Sequence, residues 1–463
     1  MTAKLLMLLV ASPVFLAAQE RQVAITHVTV VDVTGAPSRR DMTVVVSGDR
    51  ITAVGRSGQV PVPRGARVVD GTGRYLVPGF WDMHVHFMNA GESALPLLVA
   101  HGVTSVREMG GRIAETRAWQ ARMAMGTLVG PRIRTAGPVL ESPQYIARVR
   151  VRDQRLGGRL APLVLPYRIG VGDALQARRA VDSIDKLRAD FVKIRNAGSR
   201  EAYFGILAAA RRAGLTVAGH APTVVGLGEA SDSGQRSFEH SVVDQVARMP
   251  APEQHALYAR LAANGTWYVP TLVVLSAPRT PDSAVVAMLD DTLALRDPRR
   301  RFVAPSLADW WRIQVAERMQ DSSIRRQFVD ASRAGYDRTL QIIRAMRAAG
   351  VPILVGTDAG SVMVFPGVSV HEEMALLVED ARLTPREALW GATLGPARYF
   401  GMERDLGTIE TGKLADLVLL DGDPLADIRN TARIRAVMLR GELIDAAARR
   451  RLLDEVARAT SLR

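Results

Sequence analysis

The sequence predicts an α/β protein, a (β/α)8 TIM barrel with a small β-sandwich domain formed from the N- and C-terminal segments. Three observations predict this fold. Short apolar strands alternate with helix-like stretches through the middle of the 463-residue chain, eight such strands can be counted, and β-rich segments flank them at both ends. Strand–helix alternation is typical of parallel sheets, and eight strands favour closure into a barrel.

An export signal is predicted first, over residues 1–18. Lys4 supplies a positive charge, residues 5–16 are a short apolar run, and Ala17 and Ala18 are small residues before a polar stretch. The run is too short for a good membrane span, with an uncleaved anchor as the alternative. The sequence therefore predicts a periplasmic or secreted protein with no stable membrane span after signal cleavage.

The sandwich domain is predicted over residues 22–75 and 403–445. Branched apolar and polar residues alternate at 23–32 and 42–54, with Gly48-Asp49 as a turn, and this indicates a β-hairpin. The pattern returns at 415–421 and 436–444, around the tight turn Arg440-Gly441. Two distant β-rich ends suggest one domain made from both termini, followed by a C-terminal helix over 446–463.

The barrel is predicted over residues 76–402. Its strands are expected at 75–83, 103–107, 132–136, 191–194, 216–219, 237–239, 266–270 and 353–356. Helices are expected between them, among others at 176–188, 200–213 and 336–349. Two connections, 137–172 and 272–333, are unusually long, and long connections in a barrel are either functional loops or insertions that do not contact the substrate.

Composition excludes several classes of site and partner. The chain has no cysteine, so thiolate metal sites, cysteine nucleophiles and disulfides are excluded. Its net charge of +13 is spread along the chain, which indicates a basic solvated surface more than a nucleic-acid interface. We expect a small-molecule substrate and no nucleic-acid partner, with assembly into a homo-oligomer left open.

Two histidines separated by one residue, His84 and His86, end the first predicted barrel strand. Side chains two positions apart on a strand lie on one face, so both imidazoles are expected to face the barrel axis. Barrel enzymes keep their active sites at this carboxyl end. His220 and His240 also follow predicted strands. One such histidine is more often a packing residue, but four at one end favour a metal site that suits zinc.

Asp358 and Lys193 complete the candidate set, and each has an alternative role. Asp358 follows an apolar strand and can bind a metal and accept a proton from metal-bound water, or can cap the next helix. Lys193 shares a strand face with Phe191 and Arg195. A neutral lysine can react with carbon dioxide to form a carbamate that bridges two metals, whereas an ordinary strand-end lysine binds a carboxylate.

Together these motifs resemble the amidohydrolase superfamily, and within it the imidazolonepropionase-like branch that contains prolidase-type and N-acyl amino acid hydrolases. The resemblance spans nearly the whole mature chain, and the ordered set is far more specific than any one motif. The matching stretches are PGFWDMHVH (78–86), HGVTSVREMGG (101–111), DFVKIRN (190–196), VAGHAPT (217–223), SFEHS (237–241), GVPILVGTDAG (350–360), HEEMALLVEDARLTPREAL (371–389), ATLGPARYFG (392–401) and DLGTIETGKLADLVLLDGDPLADI (405–428).

The resemblance implies a binuclear zinc centre with six ligands, which are His84, His86, Lys193, His220, His240 and Asp358. The first two histidines and the aspartate would bind one ion, the other two histidines the second, and the lysine, as a carbamate, would bridge both. A bridging hydroxide would attack the substrate carbonyl, and the aspartate would pass its proton to the leaving amine. The resemblance also implies that the β segments of both ends form one small sandwich.

The chain departs from the family pattern near the expected substrate pocket. Ala221, Pro222 and Thr223 follow His220 where many relatives have a second histidine and a glycine, and Glu108 stands where an aspartate is common. Neither departure involves a proposed ligand. His371 could lie behind the ligands, but the preferred interpretation is a capping box of Ser369 and Glu372 that opens a helix over 370–379.

The leading hypothesis is a binuclear hydrolase of carbon–nitrogen bonds acting on dipeptides or N-acyl amino acids. Alternatives are a hydrolase with one metal at His84, His86 and Asp358 and an unmodified lysine, a lactone or ester hydrolase using the same groups, and a non-catalytic binding barrel. The substrate-binding residues are unknown from sequence. Arg107, Tyr145 and Tyr268 are conceivable carboxylate-binding groups for a dipeptidase.

Overall fold

The structure is a computed structural model and describes residues 22–320 and 322–461. The predicted export signal, 1–18, lies outside the described residues. The strands of this part of the chain are β1 Gln22–Val30, β2 Arg39–Ser47, β3 Arg50–Arg56, β4 Arg67–Asp70, β5 Tyr75–Pro78, β6 Phe80–Val85, β7 Val103–Glu108, β8 Arg132–Thr135, β9 Val139–Glu141, β10 Arg168–Gly170, β11 Val192–Ile194, β12 Val217–His220, β13 Gln235–Glu239, β14 Trp267–Val269, β15 Leu417–Leu420, β16 Ile434–Leu439 and β17 Glu442–Ile444.

Helices follow most strands of the middle region. The α-helices of the described residues are α1 Phe87–Ala90, α2 Ala94–Ala100, α3 Ile113–Ala124, α4 Pro143–Arg155, α5 Ala161–Val164, α6 Ala174–Lys186, α7 Arg200–Arg212, α8 Leu227–Asp232, α9 Val243–Val246, α10 Ala251–Ala263, α11 Leu272–Ser276, α12 Asp282–Asp290, α13 Pro305–Gln320, α14 Ser322–Ala348, α15 Val368–Glu379, α16 Pro385–Gly391, α17 Leu394–Tyr399 and α18 Ala446–Ser461. Short 3-10 helices occur at Leu165–Tyr167, Ala277–Arg279, Pro298–Phe302 and Ile428–Ala432.

Strands from the two ends of the chain form one eight-stranded sheet, ordered β17-β16-β15-β5-β1-β2-β3, with β4 also paired to β1. The N-terminal segment supplies the antiparallel pairs β1–β2 and β2–β3, and β5 joins it to β15 from the far end of the chain. Buried residues from both segments, among them Ile25, Val44, Leu417 and Met438, pack together in a separate core. The two termini therefore stabilise one unit.

The middle region is α/β, and its strands pair in parallel. One sheet is β6-β7-β8, and a second is β10-β9-β11-β12-β13-β14. Alternation along a strand sends Val192 and Ile194 into the large core beneath the helices, while Phe191 packs with Met109 and Ala218 on the other face. Lys193 lies on the same face as Phe191, as the period of two requires.

The segment predicted as one strand over 75–83 is not continuous in the structure. It is divided at Gly79 into β5, which belongs to the eight-stranded sheet, and β6, which belongs to the parallel sheet. A Cβ atom at Gly79 would lie 2.1 Å from Thr104 Oγ1, so only glycine fits there. Gly79 also donates its backbone N–H to Asp416 O, which ties the break to the C-terminal segment.

The strand predicted at 353–356 forms only an isolated bridge, between Tyr268 and Ile353. Its backbone is nevertheless bonded on both sides, because Leu354 N donates to Tyr268 O and Met83 N donates to Val355 O. Gly391 O accepts from Val355 N, which interrupts the regular ladder. The extended segment is thus present without the continuous pairing of a strand.

The two long connections contain regular structure that the sequence analysis did not assign. Residues 137–172 include β9, α4, α5 and β10, and residues 272–333 include α11, α12, α13 and the start of α14. Within the described residues no single helix is long and apolar enough to cross a membrane. One pair, Leu272–Arg279 with Asp282–Asp290, meets the length and composition together, but it is bent by 94°.

The helix after Asp358 begins differently from the prediction. The proposed capping box of Ser369 and Glu372 is wrong, because α15 begins at Val368 with Gly367 at the cap position and no capping side chain. Ser369 instead donates to Glu372 from within the first turn and accepts the N–H of Phe365. The missed signal was Gly367, whose φ of +80° suits a glycine at a helix entrance.

Candidate functional site

His84 and His86 lie at the carboxyl end of β6, and their environments differ. His84 is fully buried, and its Nδ1 is 3.0 Å from Glu239 Oε2. His86 is partly exposed, and its Nδ1 is 3.4 Å from the carbonyl oxygen of Gly110. Each ring therefore has a partner at Nδ1, which leaves Nε2 as the atom able to bind a ligand.

Asp358 lies between these two imidazoles. Its Oδ1 is 3.5 Å from His84 Nε2 and 3.3 Å from His86 Nε2. Ser361 Oγ donates to its other oxygen at 2.9 Å, and its backbone N–H donates to His84 O at 2.7 Å. Its φ of +58° is unusual for a residue other than glycine. The alternative role as a helix cap is not observed, because the next helix is capped at Gly367.

His220 and His240 form a second histidine pair beside the first. Their Nε2 atoms are 3.2 Å apart, and the rings of His84 and His240 have centroids 5.1 Å apart. Thr271 Oγ1 lies 3.0 Å from His240 Nδ1 and holds this ring. Both His240 and Thr271 have positive φ angles, 21° and 47°. Strained backbone of this kind is often retained where it positions functional groups.

Lys193 lies on β11, next to β12, which ends in His220. Gly219 allows the close approach of these strands, since a Cβ atom there would lie 1.8 Å from Ile194 O. Lys193 Nζ is buried and has no hydrogen-bond partner among the described residues. The structure therefore does not support the alternative in which Lys193 binds a carboxylate.

The site favours the neutral form of three of its imidazoles, those of His84, His220 and His240, and the charged form of its carboxylate. Burial, followed by the charge of Lys193, holds the pKa of His84 and His220 well below the usual range, and burial lowers that of His240 to about 4. Burial alone would raise the pKa of Asp358, but the hydrogen bond from His86 and electrostatic interactions with the surrounding imidazoles lower it overall. Neutral imidazoles and an ionised carboxylate are the forms that bind metals.

Burial also lowers the pKa of Lys193, to about 8, with the charges of Arg107 and Arg195 acting in the same direction and those of Glu239 and Asp358 against it. Lysine at this pKa is mostly charged near neutral pH, but a minor fraction is the neutral amine that reacts with carbon dioxide. The unpartnered Nζ and the unpartnered His84 Nε2 are buried polar atoms that a bound metal or carbamate would satisfy.

The groups that hold the first histidine were missed at the sequence level. Glu239 lies directly before His240 and binds both His84 Nδ1 and Arg107 Nη2, the latter at 2.7 Å. Ser237 Oγ adds a hydrogen bond to the same carboxylate at 2.7 Å. Asp82, likewise missed, accepts from Thr357 and from the N–H of His84. The available sequence signal was an acidic residue shortly before a histidine, since Glu239 precedes His240 by one position and Asp82 precedes His84 by two.

Two of the three conceivable substrate-binding residues do not fit that role. Arg107 is fully buried and committed to Glu239, Ser237 Oγ and Met83 O. Tyr268 is fully buried, and its side chain packs in the large core beneath the helices, on the strand face opposite that of Trp267 and Val269. Tyr145 is partly exposed on α4, with the Arg195 guanidinium 4.1 Å from the centre of its ring.

Two further residues from the sequence analysis, His371 and Glu108, are buried and bonded to groups outside the proposed ligand set. His371 contacts Thr431 Oγ1 and His101 O at 3.0 Å each, and its ring meets the ring of Phe80 edge-on. His371 therefore supports packing and does not lie behind the ligands. Glu108 is buried, accepts from Thr135 and Gly110, and has its pKa raised to about 7 by burial.

Four histidines and a lysine from parallel strands thus meet an aspartate that follows the extended segment 353–356, an arrangement typical of α/β enzymes with a metal site at strand ends. The profile of the amidohydrolase family matches residues 75–444, and the chain belongs to this family. The family is metal-dependent, and the chain is a hydrolase acting on carbon–nitrogen bonds.

Individual relatives agree over most of the chain. An imidazolonepropionase from Streptomyces griseus subsp. griseus is 27% identical over 428 residues, 86% of this chain and 92% of that protein. The structure of a bottromycin amidohydrolase is similar with a TM-score of 0.71 and 25% identity, covering 96% of this chain and 91% of that one. A Xaa-Pro dipeptidase with bound methionine in the active site is similar in fold, with a TM-score of 0.67, 21% identity, and 92% and 100% coverage.

Proposed function

We propose that the chain hydrolyses the amide or peptide bond of a small substrate, such as a dipeptide or an N-acyl amino acid, at a binuclear zinc centre. The observation that carries this proposal is the convergence of His84, His86 and Asp358 with the pair His220 and His240. Structures described as a dipeptidase and an amidohydrolase are among its structural neighbours, which supports cleavage of this type of bond.

The proposal includes a closed (β/α)8 barrel, with the centre at its mouth. Hydrogen bonds between the two parallel sheets support closure. On one side Asp190 N donates to Thr135 O, and on the other Leu354 N and Asp358 N donate to Tyr268 O and His84 O. The extended segment 353–358 would thus serve as the eighth strand.

Six residues would hold the two metals: His84, His86, Lys193, His220, His240 and Asp358. Lys193 would first lose one proton to become the neutral amine. Formation of an Nζ–C bond with carbon dioxide would then release a second proton and leave an anionic carbamate. Two bound zinc ions supply Lewis acidity and lower the pKa of water. Glu239 and Thr271 hold the Nδ1 atoms of His84 and His240 and so orient their Nε2 atoms.

Asp358 would move the proton. Its low pKa keeps the carboxylate ionised, and the hydrogen bond from Ser361 fixes one oxygen while the other faces His84 and His86. In the proposed reaction this carboxylate accepts a proton from the attacking water and delivers it to the leaving nitrogen when the C–N bond breaks.

Metal analysis of the purified protein tests the centre. We expect two zinc ions per wild-type chain, and about one in His220→Ala, with activity on dipeptide and N-acyl amino acid libraries lost although the fold is intact by circular dichroism. His255→Ala, at an exposed position on α10, is the matched control and should keep both metals. Wild-type turnover in His220→Ala would reject the second metal.

A mononuclear centre is the second candidate. Only His84, His86 and Asp358 form a group of at least three histidine or acidic side chains within 4.8 Å in the described residues, and this favours one metal with an unmodified Lys193. Such an enzyme could open lactones, esters or cyclic amides. One zinc per chain, together with an unaltered mass for the peptide that contains Lys193, would establish this alternative.

We also propose that the chain is exported through residues 1–18. The support is the sequence pattern alone, a positive charge followed by a short apolar run and two alanines. Expression in a Gram-negative host followed by osmotic-shock fractionation and N-terminal sequencing should recover a shortened chain in the periplasm. A full-length chain in the membrane fraction would instead support the uncleaved anchor.

A further inference from the structure

Two arginines and a tyrosine surround one carboxylate beside the proposed metal ligands, and we call this group the arginine cluster. Glu141 ends β9 and is fully buried. Its Oε2 accepts from Arg195 Nη1 at 2.9 Å and from Arg168 Nη1 at 3.2 Å. The guanidinium of Arg195 lies 4.1 Å from the ring centre of Tyr145, and that of Arg168 lies 5.3 Å from it.

The cluster has one positive charge in excess. Two guanidiniums share the single carboxylate of Glu141, whose other oxygen already accepts the N–H of Ser142 at 3.0 Å. The Nε of Arg168 is buried and has no hydrogen-bond partner in the part of the chain that the structure describes. A buried donor without a partner and an uncompensated charge both favour a bound anion.

The cluster adjoins the proposed metal site through Arg195. Arg195 follows Lys193 by two residues, so both side chains project from the same face of the strand, and Arg195 N is bonded to Leu140 O next to Glu141. The positive charge of Arg195 contributes to lowering the pKa of both Lys193 and His220. The side chain of Arg195 is 30% exposed, so it is accessible to a ligand.

We propose that Arg195, supported by Arg168 and stacked on Tyr145, binds the carboxylate of the leaving amino acid of the substrate. The inference rests on the proposed function, and it assigns to Arg195 the free carboxylate that a dipeptide or an N-acyl amino acid carries on the nitrogen side of the cleaved bond. Arginine suits this task because its planar fork matches a carboxylate and stacks on an aromatic ring.

Binding of paired ligands tests the inference independently of turnover. Isothermal titration of the metal-loaded protein with the product L-amino acids and with their primary amides, for alanine, leucine, proline, arginine and phenylalanine, measures the preference for the free acid. We expect the acid of the best pair to bind about 10- to 100-fold more tightly than its amide, as for a charge-assisted bidentate contact.

Variants identify the residue responsible. Arg195→Met should abolish the preference by weakening acid binding alone, and Arg195→Lys, which keeps the charge without the fork, should retain part of it. Arg148→Met is the matched control, because Arg148 is exposed on α4 and lies 6.0 Å from the Tyr145 ring. This control should keep the wild-type preference. Thermal melts of each variant confirm that the fold is retained.

The outcomes separate this inference from the proposed function. Equal binding of acid and amide to the wild type, no binding of either, or an unchanged preference in Arg195→Met would overturn the role of the arginine cluster. An acid preference that depends on Arg195, in a protein that hydrolyses none of the substrate libraries, would support the anion site and reject the amidase proposal.

Discussion

At the residue scale, Asp358 is restrained by its backbone, by Ser361 and by two imidazoles at once. Its positive φ turns the carboxylate toward His84 and His86, and its N–H is fixed on His84 O. A carboxylate held in this way has little conformational freedom, and a group that transfers protons must be kept in position.

Asp358→Asn tests this role. Asparagine retains the size of the side chain but neither accepts a proton at neutral pH nor supplies the negative charge. We expect kcat to fall by about 10²- to 10⁴-fold, the range found for general acid–base groups, with an unchanged circular dichroism spectrum. Asp309→Asn, at an exposed position on α13, should leave kcat unchanged. Loss of less than tenfold would exclude Asp358 as the proton carrier.

The buried ion pair of Arg107 and Glu239 acts on both stability and the site. Both side chains are completely buried, and Glu239 also orients His84. Glu239→Gln would leave the guanidinium buried without a charged partner, at a cost of about 3–5 kcal/mol in the free energy of unfolding. We also expect metal affinity to fall by about 10- to 100-fold.

Urea unfolding and competitive zinc titration measure these two effects. The matched control is Glu229→Gln, which removes a carboxylate from the exposed pair with Arg200 and should change neither quantity appreciably. A Glu239→Gln protein with wild-type stability would show that Arg107 finds another partner, and wild-type zinc affinity would remove Glu239 from the support of His84.

At the element scale, α15 connects the ligand loops to the rest of the molecule. Glu373 on this helix accepts the N–H groups of Leu272 and Val273, at the start of α11, directly after Thr271. Because Thr271 contacts His240, this helix holds the loop that orients the second histidine pair. On the neighbouring face, His371 joins α15 to Thr431 and to His101.

His371 gives this connection a pH dependence. Burial, then the charge of His101, lowers its pKa to about 3 from 6.5. The unfolded chain therefore takes up a proton as the pH falls below about 6.5, whereas the folded protein does not until about pH 3. The contribution of His371 to stability is complete above pH 6.5 and is lost toward acid, by up to about 1.4 kcal/mol per pH unit.

His371→Gln should remove this slope. Urea unfolding at pH 7 and pH 4.5 is expected to show a smaller decrease in stability for the variant than for the wild type. Groups with raised pKa values, such as Glu373, have the opposite slope and cancel in the comparison. His255→Gln, on the exposed face of α10, should behave as the wild type. Parallel pH profiles for His371→Gln and wild type would contradict the assignment.

At the scale of the whole molecule, the eight-stranded sheet depends on β1. This strand pairs with β2, β4 and β5, and β5 carries the C-terminal strands. Its residues Val23, Ile25, Val28 and Val30 are buried in the core of this sheet. Loss of β1 would therefore expose apolar surface on both terminal segments.

Truncation tests this dependence. A chain that begins at Gln22 should keep its metal content and thermal midpoint, because all described strands are retained. A chain that begins at residue 31 should be insoluble or melt without cooperativity, since β2, β4 and β5 lose their common partner. Measurement of soluble yield and thermal unfolding for the two chains decides the matter, and a stable second chain would show that β1 is dispensable.

Local patterns predicted many of the elements, because they depend on neighbouring residues. The alternation around Gly48-Asp49 predicted the hairpin β2–β3, and apolar runs located strands such as β7 and β11. The strand boundaries differ from the predicted ones where tertiary contacts determine them. Gly79 divides a continuous apolar run between two sheets, and 353–356 loses its regular pairing to Gly391 O.

The sequence by itself determined the α/β middle region, the β-rich ends and the six candidate ligands. It could do so because strand periodicity and motifs are patterns among residues close together in the sequence. Only the tertiary structure decided the partners of those ligands. His84 and Glu239 are 155 residues apart, Arg195 and Glu141 are 54 apart, and Leu272 and Glu373 are 101 apart. Such contacts arise when packing brings strand ends together, so no local pattern encodes them.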